Sequence, residues 1–215
     1  DLVLVPGDLQ FESSGITKIR TFMADRLAKT DFLAFLDEYD SKEFFSRLSN
    51  CNLQELKQRN YFSVKIPYDC VKHKRFRTAD LFKIGKLLGF SQERIYLMIH
   101  SIKNSDRKCR TGHTSQKILL PKNLDDFIKL SYLLGCIQGD ESLYSKRVTL
   151  HNNDKEIQDS YMKVLNEVFG IASKVTQGHT CQIISNSGGL SLGRFLVDIL
   201  GLPHKNKSSS ISIPS

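Results

Sequence analysis

The chain has 215 residues, of which 40% are hydrophobic, enough for one large or two small domains with their own cores. Its formal net charge of +8 favours a polyanionic partner, and nucleic acid is the commonest one. No apolar run is long enough to span a membrane and no signal peptide is recognisable, which argues against a membrane or secreted protein.

The cysteines predict the compartment. The sequence contains five of them, Cys51, Cys70, Cys109, Cys136 and Cys181, and no Cys-x-x-Cys pair. This scatter argues against a zinc site and against a disulfide framework. We therefore expect a soluble protein of the cytoplasm or nucleus.

Residues 8–70 are predicted to form a mostly helical N-terminal region. Apolar residues recur at helical spacing over residues 16–50, and Phe32 and Phe35 belong to this stripe. Further along, residues 61–66 alternate between apolar and polar types, which predicts a short strand.

Residues 71–120 form a basic segment with a predicted helix-turn-helix. Thr78 is expected to begin the first helix, Gly89 to end it and Ser91 to cap the second, whose inner face extends to Ile102. The length and the glycine turn match a DNA-binding helix-turn-helix, although such hairpins are also common elsewhere. The candidate DNA contacts here are Lys74, Arg75, Arg77, Gln92, Arg94, Arg107, Lys108 and Arg110.

An apolar helix that ends in an acidic pair is the most informative feature of the C-terminal half. Residues 130–137 are almost wholly apolar, and Gly135 and Gly139 lie on one helix face, where another backbone can approach closely. Asp140 and Glu141 follow. A carboxylate at the end of a buried helix is costly unless it holds a cation or a partner. A core helix that simply ends in an aspartate is the alternative interpretation.

The remaining C-terminal segments predict alternating element types. Residues 144–151 are typical of a strand, Asp154 caps a helix that ends at Gly170, residues 174–185 form a hairpin, and a last helix ends at Gly201. The order helix, strand pair, helix, strand pair, helix is an α+β arrangement. Its sheet offers one face to the helices and one to a partner.

Residues 133–141, Leu-Leu-Gly-Cys-Ile-Gln-Gly-Asp-Glu, resemble the LAGLIDADG motif of homing endonucleases, with Asp140 at the position of the metal-binding acid. The variant common in inteins reads Leu-Gly-x-x-x-Gly-Asp-Gly, and Glu141 replaces its last glycine here. Residues 201–203 and 212–214 also follow the way such a half-domain ends. The resemblance implies a LAGLIDADG half-saddle (αββαββα) over residues 121–215, preceded by the helical region and the helix-turn-helix.

Residues 1–7, Asp-Leu-Val-Leu-Val-Pro-Gly, resemble the strand that closes the first half of an intein's splicing domain. Together with the endonuclease motif, this remnant implies that the chain derives from an intein. The residues that carry out splicing are absent, so we expect no splicing.

The resemblance implies Mg²⁺-dependent cleavage of double-stranded DNA, since oxygen ligands suit Mg²⁺ and the metal activates water. The candidate metal ligands are Asp140 and Glu141. The candidate catalytic residues are Asp140, Gln182 and Lys207. One carboxylate rarely suffices, so the enzyme assignment depends on a second LAGLIDADG half-domain, in the same longer chain or in a homodimer partner. Residues 33–41 faintly echo such a second motif.

The resemblance further implies that alternate side chains of the strands contact DNA in its major groove. The candidates are Tyr144, Lys146, Arg147, Thr149, His151, Lys174, Thr176, Gln177 and His179. The family usually places a lysine or glutamine near the end of the last strand, and residues 185–189 carry no basic side chain. A catalytically inactive LAGLIDADG and helix-turn-helix DNA-binding regulator is therefore the alternative function. A third is a fragment that binds nothing specific.

Overall fold

A computed structural model describes residues 9–64, 67–105, 116–144, 147–178, 181–186 and 189–202, and for residues 9–13, 138–144, 147 and 186 it describes the backbone alone. Helices and strands are mixed throughout, so the predicted α+β class is confirmed. The strands of the described ranges form two four-stranded antiparallel sheets. None of the helices in these ranges is long and apolar enough to cross a membrane.

The N-terminal region contains its own sheet as well as helices. Its strand order is β2-β1-β3-β4, which we call the N-terminal sheet. The elements are α1 (Leu9–Leu27), β1 (Leu33–Leu36), α2 (Lys42–Ser49), α3 (Leu53–Gln58), α4 (Pro67–Lys72), β2 (Arg75–Arg77), α5 (Thr78–Leu87), α6 (Gln92–Met98), β3 (Ile99–Lys103) and β4 (Ile118–Leu119).

The prediction of continuous helix over residues 16–50 is wrong at β1. Ala34 and Leu36 are buried while Leu33 and Phe35 are half-buried, which is the period of a strand. Over four residues an apolar run fits either period, and pairing with β2 and β3 decides the outcome. Because residues 33–36 are a strand, this segment cannot be a second copy of the acidic helix.

The second helix of the hairpin is also shorter than predicted. It ends at Met98, and Ile99 and Ile102 belong to β3, where they pair with Leu36 and Ala34 of β1. β-Branched residues favour the strand. Residues 61–64 form no strand, contrary to the prediction, and residues 65–66 lie outside the described ranges.

The ends of the two hairpin helices agree with the sequence analysis. α5 begins at Thr78 and Gly89 follows it with a φ of +82°, a conformation that glycine adopts without strain. The Ser91 hydroxyl caps α6 by accepting the backbone N–H of Arg94 at 3.2 Å.

The hairpin is held by a close contact at Gly85 of α5. A Cβ built at Gly85 would lie 2.7 Å from Cγ1 of Ile95, which is fully buried on α6. We expect Gly85→Ala to destabilise the protein by about 1 kcal/mol, because overpacking of about 1–3 kcal/mol exceeds the gain of about 1 kcal/mol in helix propensity. Urea denaturation measures the change.

Gly15 of α1 provides the matched control, since no described atom lies within 4 Å of a Cβ built there. Gly15→Ala should stabilise the protein by about 0.5–1 kcal/mol through helix propensity alone. Equal effects of the two substitutions would contradict the packing argument.

The C-terminal region follows the predicted order of helix, strand pair, helix, strand pair, helix. Its antiparallel strand order is β5-β6-β8-β7, which we call the C-terminal sheet. The elements are α7 (Leu124–Asp140), β5 (Glu141–Tyr144), β6 (Arg147–His151), α8 (Lys155–Phe169), β7 (Ser173–Gln177), β8 (Gln182–Asn186), α9 (Gly189–Arg194) and a π-helix that continues it (Phe195–Ile199).

Local capping explains where the C-terminal helices begin and end. Asn123 accepts the N–H of Asp126 at 2.9 Å, and the Asp126 carboxylate accepts the N–H of Asn123 in return at 3.2 Å. Asp154 caps α8 by accepting the N–H of Glu156 at 2.8 Å. Gly170 ends α8 in the left-handed conformation with a φ of +64°.

Candidate nucleic-acid interface and acidic helix end

Asp140 is the last residue of α7, and Glu141 is the first residue of β5. The C-terminal end of a helix carries a partial negative charge, and the last turn of α7 contains no basic residue. Two consecutive carboxylates therefore add to a field that already attracts a cation. The backbone establishes this placement, and the side chains of Asp140 and Glu141 lie outside the described ones.

The sheet register brings several predicted site residues to the same end of the C-terminal sheet. Glu141 pairs with Leu150 of β6, and Leu150 pairs with Ile184 of β8. The start of β5, the end of β6 and the start of β8 therefore lie side by side. His151 and Gln182 are thus near the end of α7, with β5 and β8 about 10 Å apart across two strand spacings.

One face of this sheet is open. Val148 and Leu150 of β6 and Ile184 of β8 are buried and mark the face covered by helices. Thr149 and His151 alternate with them on the other face and contact each other at 3.3 Å.

β7 adds exposed positions to this open face. Lys174 and Thr176 are exposed and pair with Ser185 and Ile183. Tyr144 and Arg147 pair with each other at register positions of the same face. Six of the predicted DNA contacts therefore share one surface, which we call the open face of the C-terminal sheet: Tyr144, Arg147, Thr149, His151, Lys174 and Thr176. Lys146 and His179 lie outside the described residues.

Gln177 and Gln182 do not belong to this open face. They pair with each other, one residue out of phase with Thr176 and Ile183, so they lie on the face that carries the helices. The side-chain carbonyl oxygen of Gln182 accepts a hydrogen bond of 2.8 Å from the Gln158 amide of α8. Strand alternation forbids adjacent residues from sharing a face, so Thr176 and Gln177 cannot both contact DNA as predicted.

The predicted recognition helix, α6, is partly occupied by internal contacts. Glu93 forms an ion pair of 3.1 Å with Arg20 of α1. The buried Tyr96 hydroxyl donates to the carbonyl of Pro121 at 2.7 Å. Gln92 and Arg94 remain exposed at the start of the helix and keep their predicted availability.

The basic residues around the hairpin have separate locations. Lys74 forms an ion pair of 2.8 Å with Glu38. Arg75 and Arg77 are exposed on β2 of the N-terminal sheet. The remaining predicted contacts of this segment, Arg107, Lys108 and Arg110, lie outside the described residues, as does the predicted catalytic Lys207.

One side of α7 faces away from the rest of the described chain. Gly135 is exposed, with no atom within 4 Å of a Cβ built there, so the close backbone approach predicted from its small size is not made within the described chain. On the same side, Ile128 is 51% exposed and Tyr132 is 42% exposed. We call Ile128, Tyr132 and Gly135 the α7 stripe. Sequence analysis missed its exposure because an apolar run does not show which of its sides is covered.

The described side chains contain no group of three or more His, Cys, Asp or Glu residues that could hold a metal ion. Asp140 and Glu141 are not among those side chains. Their placement at the negative end of α7 is a fitting donor set for a hard cation such as Mg²⁺, which prefers carboxylate oxygen. With one or two carboxylates from this chain, further oxygen ligands must come from a partner, the substrate or water.

Comparison with known proteins gives partial similarities. No protein-family model matches the chain. It is 26% identical over 187 residues to a probable translation initiation factor IF-2 of Methanocaldococcus jannaschii, which covers 86% of this chain and 14% of that protein. It is 29% identical over 102 residues to one of the subunits of the A-type ATP synthase of Pyrococcus abyssi, which covers 46% of this chain and 9% of that protein. The chain thus spans a small fraction of the length of each curated relative.

Proposed function

We propose that this chain is the endonuclease region of an intein, a site-specific, Mg²⁺-dependent double-strand DNA endonuclease of the LAGLIDADG type. The observation that carries the proposal is the direct succession of α7, Asp140 and β5, which places a carboxylate beside an open sheet face with cationic and polar positions. An acid next to a surface that fits a duplex is the arrangement that phosphodiester hydrolysis requires.

The residues at the end of α7 have defined roles in this proposal. Asp140, with Glu141 beside it, would hold the metal, since both lie where the helix dipole favours a cation. When bound, Mg²⁺ would supply an activated water and neutralise charge that develops on the phosphate. Thr149, His151, Lys174 and Thr176 would orient the duplex by contacts to bases and phosphates.

The second acid would come from another half-domain that packs on the α7 stripe. Ile128 and Tyr132 leave apolar surface exposed there, and Gly135 allows a second helix to approach closely. This half-domain could lie in the same longer chain or in a homodimer partner.

The two relatives support an intein origin. Their names describe unrelated activities, translation initiation and ATP synthesis, and the chain matches only 14% of one and 9% of the other. A shared segment of this size within otherwise different proteins is the pattern expected of an inserted element. The similarity does not rest on a phosphate-binding loop, because the sequence contains no Gly-x-x-x-x-Gly-Lys-Ser/Thr run.

The proposal predicts the effect of a bulky residue in the α7 stripe. Gly135→Leu should weaken association with the second half-domain about tenfold or more, because the side chain would hold the two helices apart. Sedimentation velocity of the chain alone, and mixed with a candidate second half-domain, measures this. Gly15→Leu, at a glycine of α1 whose Cβ position is likewise open, is the matched control. Association of the Gly135→Leu protein that equals wild type would refute the stripe as the contact surface.

The cleavage test uses a library of randomised duplexes. The chain, alone and with its second half-domain, is incubated with the library in Mg²⁺ or in EDTA, and the cut ends are sequenced. Recurrent double-strand cuts at one sequence, present only with Mg²⁺, are expected. If the assembled protein selects one sequence without cutting it, the endonuclease proposal fails.

That outcome would favour the second candidate, a catalytically inactive LAGLIDADG and helix-turn-helix DNA-binding regulator. A specific observation supports this candidate. The Gln182 amide, the predicted catalytic amide of the last strand, is engaged with Gln158 on the helix-covered side of the sheet. A regulator would bind its sequence with a steep salt dependence and would leave the DNA intact.

A further inference from the structure

The outer face of the N-terminal sheet differs in composition from its inner face. Ala34, Phe76 and Ile102 are fully buried on the inner face, where Phe76 contacts the ring of Phe44 on α2. The alternate positions form the outer face. These are Leu33 and Phe35 of β1, Arg75 and Arg77 of β2, Ser101 and Lys103 of β3, and Leu119 of β4.

The cations of the outer face are spaced regularly by the register. Arg77, Leu33 and Lys103 lie in one row across β2, β1 and β3, so the two cations are about 10 Å apart. Arg75 lies about 7 Å from Arg77 along β2, in the next row. Phe35 is opposite Arg75 in that row.

Lys117, just before β4, adds a fourth cation. Its ammonium lies 3.7 Å from the centroid of the Phe35 ring, which holds it over the middle of the face. We call Arg75, Arg77, Lys103 and Lys117 the basic patch.

No acidic residue occupies an outer-face position of the described strands, and no described carboxylate pairs with a cation of the basic patch. Elsewhere exposed cations are paired, as Arg47 is with Glu43 at 2.6 Å and Arg59 with Glu55 at 2.6 Å. Four like charges without counter-charges repel one another, and this cost is offset when a polyanion binds.

We infer that the basic patch is a second binding surface for the phosphate backbone of duplex DNA, separate from the open face of the C-terminal sheet. This inference rests on the proposed DNA function and extends it to strands that the sequence analysis did not predict. Duplex DNA fits because its phosphates present one charge per about 1.7 Å of axis, dense enough for four cations spaced about 7–10 Å apart. Contacts of this kind fix position and contribute affinity without reading sequence.

The test compares the salt dependence of duplex binding between variants. The triple variant Arg75→Ala, Arg77→Ala, Lys103→Ala removes three cations whose side chains form no capping or ion-pair contact in the described structure. In particular, Arg77 precedes α5 without a side-chain capping bond. The control Lys155→Ala, Lys163→Ala removes exposed charges from α8, on the other sheet's helix side. Thermal unfolding followed by circular dichroism verifies that each variant folds.

Fluorescence anisotropy with a duplex of about 30 base pairs, over a series of KCl concentrations, gives the slope of log K against log salt. The triple variant should lose about 2–3 from the slope, near 0.9 for each phosphate contact, and bind about tenfold or more weakly at 0.1 M salt. The α8 control should change affinity about twofold or less.

Three results would overturn the inference. They are an unchanged slope in the triple variant, an equal loss in the α8 control, or wild-type binding to vesicles with anionic lipid that exceeds binding to the duplex. A variant of the open face, Lys174→Ala with Thr176→Ala, separates the two proposals. If that variant loses affinity while the triple variant does not, the basic patch is wrong and the DNA function stands. If wild type binds no duplex, both are wrong.

Discussion

Replacing Asp140 by asparagine should lower Mg²⁺-dependent DNA cleavage by at least about 1000-fold, in the presence of the second half-domain. The substitution keeps the size of the side chain and removes its charge, and loss of about 4 kcal/mol of metal-dependent stabilisation corresponds to this factor. Binding to the duplex in the absence of metal should stay within about twofold, because the substitution leaves the open sheet face intact. Gel assays of cleavage and anisotropy measure the two quantities.

Asp159→Asn on α8 is the matched control, an exposed aspartate on a helix away from the end of α7. It should leave cleavage unchanged. Cleavage by the Asp140→Asn protein at the wild-type rate would show that Asp140 is not a metal ligand. A loss of cleavage together with unfolding, seen by circular dichroism, would instead assign the residue to the fold.

The second large effect is expected at Arg194, which joins the two regions of the chain. This side chain is 12% exposed and forms ion pairs of 3.0 Å with Asp31 and 2.8 Å with Asp198. It donates to the Asn104 side-chain carbonyl at 2.6 Å and lies 4.7 Å from the centroid of the Phe32 ring. Arg194→Met keeps the aliphatic length and removes the guanidinium. It should destabilise the protein by about 3 kcal/mol, since the groups left behind lose their charged partner.

Arg59→Met is the control for this prediction. Its side chain is 69% exposed and pairs with Glu55, and such surface pairs contribute about 0.5 kcal/mol or less. Urea denaturation of both variants gives the comparison. A cost at Arg194 no larger than at Arg59 would show that this network does not hold the two regions together.

The penalty at Arg194 should depend on pH. Burial tends to raise the pKa of Asp31, but hydrogen bonds from Ser105 and Arg194 outweigh it, and the pKa is lowered from its usual value. A lowered carboxyl pKa contributes stability that is present above the unfolded pKa of about 3.9 and is lost as pH falls through the folded value. The difference between wild type and Arg194→Met should therefore be largest near pH 7 and should shrink below about pH 4.

Local signals in the sequence predicted the ends of several helices. Gly89, Ser91, Asp154 and Gly170 each end or cap a helix as expected, because caps depend on the conformation and hydrogen bonds of a few adjacent residues. The alternation of element types over residues 124–202 was predictable for the same reason.

The N-terminal sheet was not predictable in the same way. Residues 33–36 and 99–103 carry apolar runs too short to distinguish a helix from a strand. Their pairing partners lie more than about 60 residues apart in the chain, so only the folded arrangement makes the strand conformation favourable.

The same division applies to the candidate site. The sequence by itself determined a basic α+β chain with an apolar helix that ends at Asp140, since composition and periodicity are properties of the chain alone. Only the tertiary structure decided which residues share a surface. It separated Gln177 and Gln182 from Thr176, left one side of α7 uncovered, and brought Arg75, Arg77 and Lys103 together. The reason is that strand register and helix packing are set by contacts between distant residues, and one residue of register moves a side chain to the opposite face.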